Sequence, residues 1–443
     1  MQQQPRLPLW FLIANPALMI AAFAMGTYVG SGHRVQLPEP QRTALELVHR
    51  EILQSHIEPP NSEELVERAI GGMVDDLDEY SRYIPPKSVA RYDEASSGQY
   101  SGIGAVITEL GDEVVVHFPF EGSPAEAAGL APGDVLLAVG QEQIDTPAER
   151  REVAALVRGA AGSPVELTVR RGDAVLPVQV VRGDVQRPCV KWAHFVDEDR
   201  GIGYVYLADF HPTASQQLFD AVRSLESQRP LNGLVVDLRF DGGGSLEQCL
   251  AIARGFLRDG VIATQHRRDG PDEVYEARPE DVLWPDLPLA LLVNEGSASA
   301  SEVLSGALQD HERAAVVGVR THGKGYVNTV YAWPDYEFKL KLTTGSYRTP
   351  NGRNIERNHS TDATPADAEE GGILPDVQVP VPEEESSRLY TLLHQIQVPD
   401  KYRAAFLELA AQHELPVAAP PRPEADAQLR AAVASVRDQL RGR

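Results

Sequence analysis

Between Gly201 and Gly318 the chain alternates short, continuously apolar runs with longer amphipathic ones, and this alternation limits its architecture more than any other feature. GIGYVYLADF precedes SQQLFDAVRSLES, GLVVDLRF precedes SLEQCLAIARGFLRDG, and LPLALLVNEG runs into SASASEVLSGALQDH, with AAVVGV closing the series. A short run without a polar face predicts a strand buried on both sides. Such strands alternating with helices predict a sheet covered on both faces.

The rest of the chain has other textures. From Tyr100, YSGIGAVITEL, EVVVHF, DVLLAVG and PVELTVRRGDAVLPVQVV read as short strands broken by Gly, Pro and Asp. One helix, Pro147 to Arg158, lies among them, so a small β-rich module is expected over 96–183. Ahead of it, residues 41–58 and 62–79 carry apolar side chains at helical spacing (Leu45, Val48, Ile52; Leu65, Ala69, Met73), with Asn61 and Ser62 as caps. These helices, within a region 33–95, are expected to pack on a neighbour or another subunit. The tail, 383–443, predicts helices near 384–396 and 423–441. The α/β stretch occupies 184–382.

A chain of 443 residues has room for about three domains. A hydrophobic fraction of 42% with 24% charged residues excludes global disorder and a polytopic membrane protein. The net charge of −23 would repel phosphates, which disfavours nucleic acid as a partner. Cys189 and Cys249 make neither a disulfide framework nor a metal knuckle; they read as buried thiols, with one bridge between them as the alternative. No charge occurs from Leu7 to Gly32. That run reads as a membrane anchor over residues 8–30, or as a signal peptide cleaved after Ala22-Phe23-Ala24. Either reading implies export of the body, to a bacterial periplasm.

Three stretches carry chemistry. Asn294-Glu295-Gly296-Ser297-Ala298-Ser299-Ala300-Ser301-Glu302 lies where a buried strand meets a helix, so a serine there meets free backbone N–H groups able to hold an oxyanion. The same run also suits a Ser-rich cap with small residues for close packing. Thr321-His322-Gly323-Lys324-Gly325 offers a glycine-flanked lysine, which acts as a base only when burial lowers its pKa. His322 is the rival base, and a surface turn is the alternative for the whole segment. Asp237-Leu238-Arg239-Phe240-Asp241-Gly242-Gly243-Gly244 brings backbone close to a neighbour, as an oxyanion donor or a peptide rim. It lacks the spacing of a phosphate loop.

Together these stretches resemble the carboxyl-terminal processing, or tail-specific, proteases over roughly 41–380. The SGIGA run at Ser101–Ala105 and the run from Gly122 to Asp134 resemble that family's inserted PDZ domain. LDEYSRYIP at 77–85, YRTPNGRNIE at 347–356 and GILPDV at 372–377 resemble its flanking core segments. The resemblance implies an α+β multidomain chain: a crotonase-like α/β protease core, an inserted PDZ domain, and helical N- and C-terminal segments. It implies a serine endopeptidase in which the middle serine, Ser299, is the nucleophile and Lys324, 25 residues later, is the base.

Further roles follow from the resemblance. Asn328 stands where the family places a lysine-orienting glutamine, and Asp241 where it places asparagine. Gly243 and Ala300 would supply oxyanion N–H groups. Gly102, Ile103 and Gly104 would receive a substrate's terminal carboxylate by strand addition, with Val153 and Leu156 lining the adjacent groove. No metal or cofactor is required. The expected partners are protein C-terminal tails, the membrane through the N-terminal segment, an adaptor protein, and a second copy in a homo-oligomer such as a dimer. A weakened relative that mainly binds tails, and a non-peptidase of crotonase-like architecture, are the alternatives.

Overall fold

The computed structural model describes residues 36–268, 270–333, 335–357, 371–413, 417 and 419–442. The apolar segment 7–32, read as an anchor or signal, lies outside the described residues. The chain divides into two compact units, Met1–Asp76 and Leu77–Arg443.

In the first unit, α1 (Glu39–Ser55) and α2 (Ser62–Asp75) form the expected helices, each ending a few residues early. Asn61 caps α2 by accepting the Glu63 N–H at 2.8 Å. Leu45, Val48 and Met73 remain more than half exposed.

The second unit opens with β1 (Arg82–Ile84), α3 (Pro86–Ser97) and β2 (Gln99–Gly102). Residues 77–97 therefore group with the later chain, and the expected helical region 33–95 divides at Asp76. The β-rich module follows: β3 (Ala105–Leu110), β4 (Glu113–Pro119), α4 (Pro124–Ala127), β5 (Val135–Val139), β6 (Glu142–Gln143), α5 (Pro147–Leu156), β7 (Pro164–Arg171) and β8 (Ala174–Val181). Its sheet runs β3-β4-β5-β7-β8 around a separate core of Val116, Leu136, Leu167 and Val180. YSGIGAVITEL is two strands rather than one, because the chain bends at Gly104, whose φ is +75°. Its Cβ would come within 2.6 Å of Ser123 Cβ. On leaving the module, β9 (Gly183–Gln186) pairs antiparallel with β2, Gln99 opposite Gln186.

The α/β region then runs β10 (Val190–Asp197), β11 (Ile202–Leu207), α6 (Ala214–Gln228), β12 (Gly233–Asp237), α7 (Leu246–Phe256), β13 (Val261–Arg267), β14 (Glu273–Glu276), β15 (Leu289–Val293), α8 (Ala300–Asp310), β16 (Ala315–Gly318), β17 (Tyr326–Ala332), β18 (Lys339–Arg348) and β19 (Val377–Gln378). The covered sheet has the order β10-β11-β12-β15-β16-β19 and is parallel except for β10. Leu218, Val222, Ile252, Phe256 and Leu304 from α6, α7 and α8 seal one face. A second sheet joins β1, β18, β13 and β14, with β17 beside β18.

The tail contains α9 (Glu383–Leu393), α10 (Asp400–Gln412) and α11 (Ala427–Arg441), so one helix, α10, was not expected. Leu429, Val433 and Val436 of α11 cover the other sheet face at Tyr204, Val235, Leu292 and Val317. Burying each Leu or Val contributes about 1.5–3 kcal/mol, so the tail completes the core. A buried ion network locks it: Arg239 Nη2 donates to Asp237 at 2.5 Å and to Asp426 at 2.8 Å, and Nη1 donates to Gln428. Cys189 and Cys249 are buried and unpaired.

Candidate active site

Adjacent parallel strands β15 and β16 deliver the two central side chains. Beyond β15, Asn294 fixes the turn by accepting the N–H groups of Phe240 (2.8 Å) and Gly296 (3.0 Å). The three serines then separate by environment. Ser297 is fully buried, donates to Leu238 O at 2.8 Å and accepts the Asn294 N–H. Ser301 is fully buried and donates to Asp241 O at 3.0 Å. Ser299 alone of the three is partly exposed. Its backbone lies at φ 55°, ψ −113°, a conformation that costs on the order of 1–3 kcal/mol outside glycine. A sharp, strained strand-to-helix turn of this kind pushes a nucleophile out of the surrounding packing.

Gly243 lies against this turn. A Cβ there would meet Ala298 O at 2.6 Å, Ala300 N at 2.8 Å and Ser299 Cβ at 2.8 Å. The expected Gly243 N–H oxyanion donor is otherwise engaged, since it donates to Asp241 Oδ1 at 2.8 Å. Gly243 thus supplies close approach in this structure. Ala300 opens α8, where an N–H has no intrahelical acceptor and the helix dipole favours negative charge.

Lys324 sits between β16 and β17. Its flanking glycines allow the loop to press on residues 355–357: a Cβ at Gly323 would meet Arg357 Cβ at 2.4 Å, and one at Gly325 would meet Glu356 N at 2.3 Å. Lys324 Nζ lies 4.9 Å from the centre of the Tyr80 ring. Burial pushes the lysine below its ordinary range, against the opposing pull of Glu356, Glu302 and Glu79. Burial also pushes Glu356 up to about 7, although its carboxylate accepts the Gly325 N–H at 2.7 Å. Ser299 Oγ and Lys324 Nζ are not hydrogen-bonded to each other among the described residues; such bonds often tighten only when substrate binds.

One carboxylate links the two. Glu302 is fully buried and accepts four hydrogen bonds: Ser299 N–H (2.8 Å), Lys324 N–H (2.8 Å), Gly323 N–H (2.6 Å) and Thr321 Oγ1 (2.6 Å). Sequence reasoning gave Glu302 no role, nor Glu79, Tyr80 and Glu356. Asn328 does not orient the lysine as expected: its Nδ2 donates to Thr343 Oγ1 at 3.0 Å, which in turn donates to Asp78. Being one methylene short of glutamine, it reaches its strand partner on β18 instead.

In the β-rich module a cleft of about 410 Å³ runs between β3 and α5, lined by Tyr100, Ile103, Gly104, Val153, Val157 and Arg158. Val153 lines it as expected; Val157 takes the place expected of Leu156, which packs on the module's core. Ile103 and Gly104 border the cleft, whereas Gly102 ends β2 opposite Gly183. No cluster able to hold a metal occurs among the described residues.

The chain matches the family model of peptidase family S41 over residues 201–379 and that of the PDZ domain over 121–171. The carboxy-terminal-processing protease of Bartonella bacilliformis is 32% identical over 344 residues, spanning 76% of this chain and 75% of that protein. A probable CtpA-like serine protease of Staphylococcus haemolyticus is 30% identical over 382 residues, spanning 85% of this chain and 73% of that one. Among solved structures, the photosystem II D1 C-terminal processing protease is 28% identical with a TM-score of 0.42, covering 75% of this chain and 86% of that one. A partly exposed serine on a strained turn at a helix start, beside a desolvated lysine, suits a serine-type peptidase. The chain belongs to peptidase family S41, among the carboxy-terminal processing proteases, and carries a PDZ domain.

Proposed function

We propose that the protein is an exported endopeptidase that uses a Ser299–Lys324 dyad to cleave protein substrates near C-termini read by its PDZ domain. The environment of Lys324 carries this reading: burial favours its neutral amine, and Glu302 holds its backbone and that of Ser299 on one carboxylate. Neutral Lys324 takes the Ser299 hydroxyl proton as Oγ attacks the scissile carbonyl. The Ala300 N–H at the start of α8 stabilises the oxyanion. Lys324 then passes its proton to the leaving amine, and water releases the acyl group by the same route in reverse. The cleft between β3 and α5 takes the substrate's last residues as an added strand. The N-terminal segment 8–30 anchors the protein to the membrane or directs its export.

Hydrolysis of an unstructured protein by wild type, Ser299→Ala and Lys324→Ala tests the dyad, with complete loss expected in both variants. Activity surviving in Ser299→Ala overturns it. The same peptide as a free acid and as a C-terminal amide tests the PDZ part. A charge-assisted hydrogen bond contributes roughly 1.5–3 kcal/mol, so the amide should be cleaved on the order of ten- to a hundredfold less efficiently. Equal cleavage of the two forms leaves the chemistry standing and makes the PDZ domain structural.

A further inference from the structure

Asp241 has an unusual position for a carboxylic acid. It lies in the turn after β12, is fully buried, and is bonded to both sides of the nucleophile. Its backbone carbonyl accepts the Ala298 N–H at 3.0 Å and the Ser301 hydroxyl at 3.0 Å, while Oδ1 accepts the Gly243 N–H at 2.8 Å. Oδ2 is buried without a hydrogen-bond partner. A buried carboxylate oxygen with no donor is very unfavourable, and the usual resolution is that the group keeps its proton. Ser301 gives its hydrogen to the Asp241 carbonyl. Burial outweighs the Gly243 N–H and the Ser301 hydroxyl, which favour the carboxylate.

We propose that Asp241 works as a neutral carboxylic acid that positions the Asp241–Ser245 turn against Ser299, and that loss of its proton sets the alkaline limit of catalysis. The neutral acid, like an amide, presents a donor as well as an acceptor, which is how it stands in for the asparagine that the resemblance places here. As a carboxylate it would put a negative charge beneath the site where an oxyanion must form, opposing the α8 dipole.

Several ionisable groups act on Asp241. Lys191 lies on β10, Tyr206 on β11, Asp209 beyond β11, Cys189 ahead of β10 and Cys249 on α7. Burial is the chief reason that Asp241 is held well above the ordinary carboxylate range; the Asp209 charge adds to this and the Lys191 charge opposes it. Asp209 also pairs with His211 Nε2 at 3.0 Å. The folded-state pKa is raised, so the protonated site is intact at lower pH and is lost as pH rises through that raised value. Lys324 imposes the opposite limit, since it must lose a proton to act.

This inference rests on Ser299 as the nucleophile, which Ser299→Ala tests separately. The experiment is the pH dependence of kcat/KM on an unstructured protein substrate. Asp241→Asn should keep neutral-pH activity within about tenfold and lose the alkaline limb. Asp209→Asn should move the alkaline limb of the enzyme to lower pH, and Lys191→Met should move it to higher pH, because each removes a charge acting on Asp241. An unchanged alkaline limb in Asp241→Asn overturns the proposal, as does a neutral-pH loss beyond about a hundredfold in a variant that folds. Should Asp241→Asn fail to fold, the two charge variants read the same limb with Asp241 in place. Opposite shifts support the proposal, and an unmoved limb in both overturns it.

Discussion

In the proposed dyad Lys324 must be neutral to take a proton, and Glu356 helps decide the pH at which that happens. The Glu356 charge favours the ammonium form of Lys324, so Glu356→Gln should lower the lysine's pKa. The acid limb of kcat/KM should then move to lower pH by roughly one pH unit, with little change on the alkaline side. The same carboxyl links pH to stability. Its pKa rises from 4.5 to about 7 on folding, so its contribution is full below 4.5 and is lost as pH rises through 7. The urea midpoint of wild type should therefore fall, relative to Glu356→Gln, between about pH 5 and 8. Asn328→Ala should leave kcat within about threefold while lowering stability by about 1 kcal/mol through the lost Thr343 bond. At this scale the sequence singles out a residue wherever it sits in a run with a familiar offset, as Ser299 and Lys324 do. Glu302 escaped because an acid in the first turn of a helix reads as an ordinary cap, and nothing local reveals that its four donors come from two separate loops. Glu356 and Tyr80 escaped because only tertiary folding brings them to Lys324.

The turn before α8 and the turn after β12 fit together only because Gly243 lacks a side chain. Gly243→Ala places a Cβ within 2.8 Å of Ser299 Cβ, at a φ of +92° that an L residue rarely adopts. Displacing the proposed nucleophile by a fraction of its reach costs about a hundredfold in rate, so kcat should fall by that order while far-ultraviolet dichroism stays unchanged. A wild-type kcat would show that the approach has no catalytic consequence. Most elements between 201 and 318 were readable in advance, since a strand such as LALLV has no polar face and a helix such as α6 has a stripe at 3.6-residue spacing. β13, β14, β17 and β18 were not, because strands such as KLKLTTGSYR lie half-buried and carry charge. The helix expected near 423–441 gave no sign that its partner, as α11, is the far face of the main sheet.

Across the whole second unit, the tail joins the PDZ domain to the protease core. Helix α10 packs Phe406 edge-on to Phe118 and buries Leu409 against Val115 and Val135 of the PDZ sheet. Tyr402 donates to Glu126 at 2.6 Å, and Lys401 pairs with the same carboxylate. These partners draw the Glu126 carboxyl down to about 2, Lys401 first. Its contribution to the clasp is thus present above the ordinary value of 4.5 and is lost only as pH falls toward 2. Phe406→Asp should release this contact. Amide exchange in β4 and β5 should then quicken by at least about tenfold, with exchange in β12 and β15 unchanged. Equal exchange in wild type and variant would mean that the PDZ domain is held by its other attachments alone. None of this was legible in the sequence, which hints at where amphipathic segments lie but not at which distant surface each will meet.

The pairing of β2 with β9 makes the PDZ domain a cassette. Its entry and exit strands lie side by side, Gln99 opposite Gln186, at the spacing of an ordinary antiparallel ladder, about 5 Å. Such a junction accepts excision or exchange: a short hairpin turn can close it, and any reader whose ends emerge together can be grafted in, with the core left whole. With the PDZ domain as the proposed reader of tails, specificity becomes a replaceable part, and a newcomer would lack the clasp by α10.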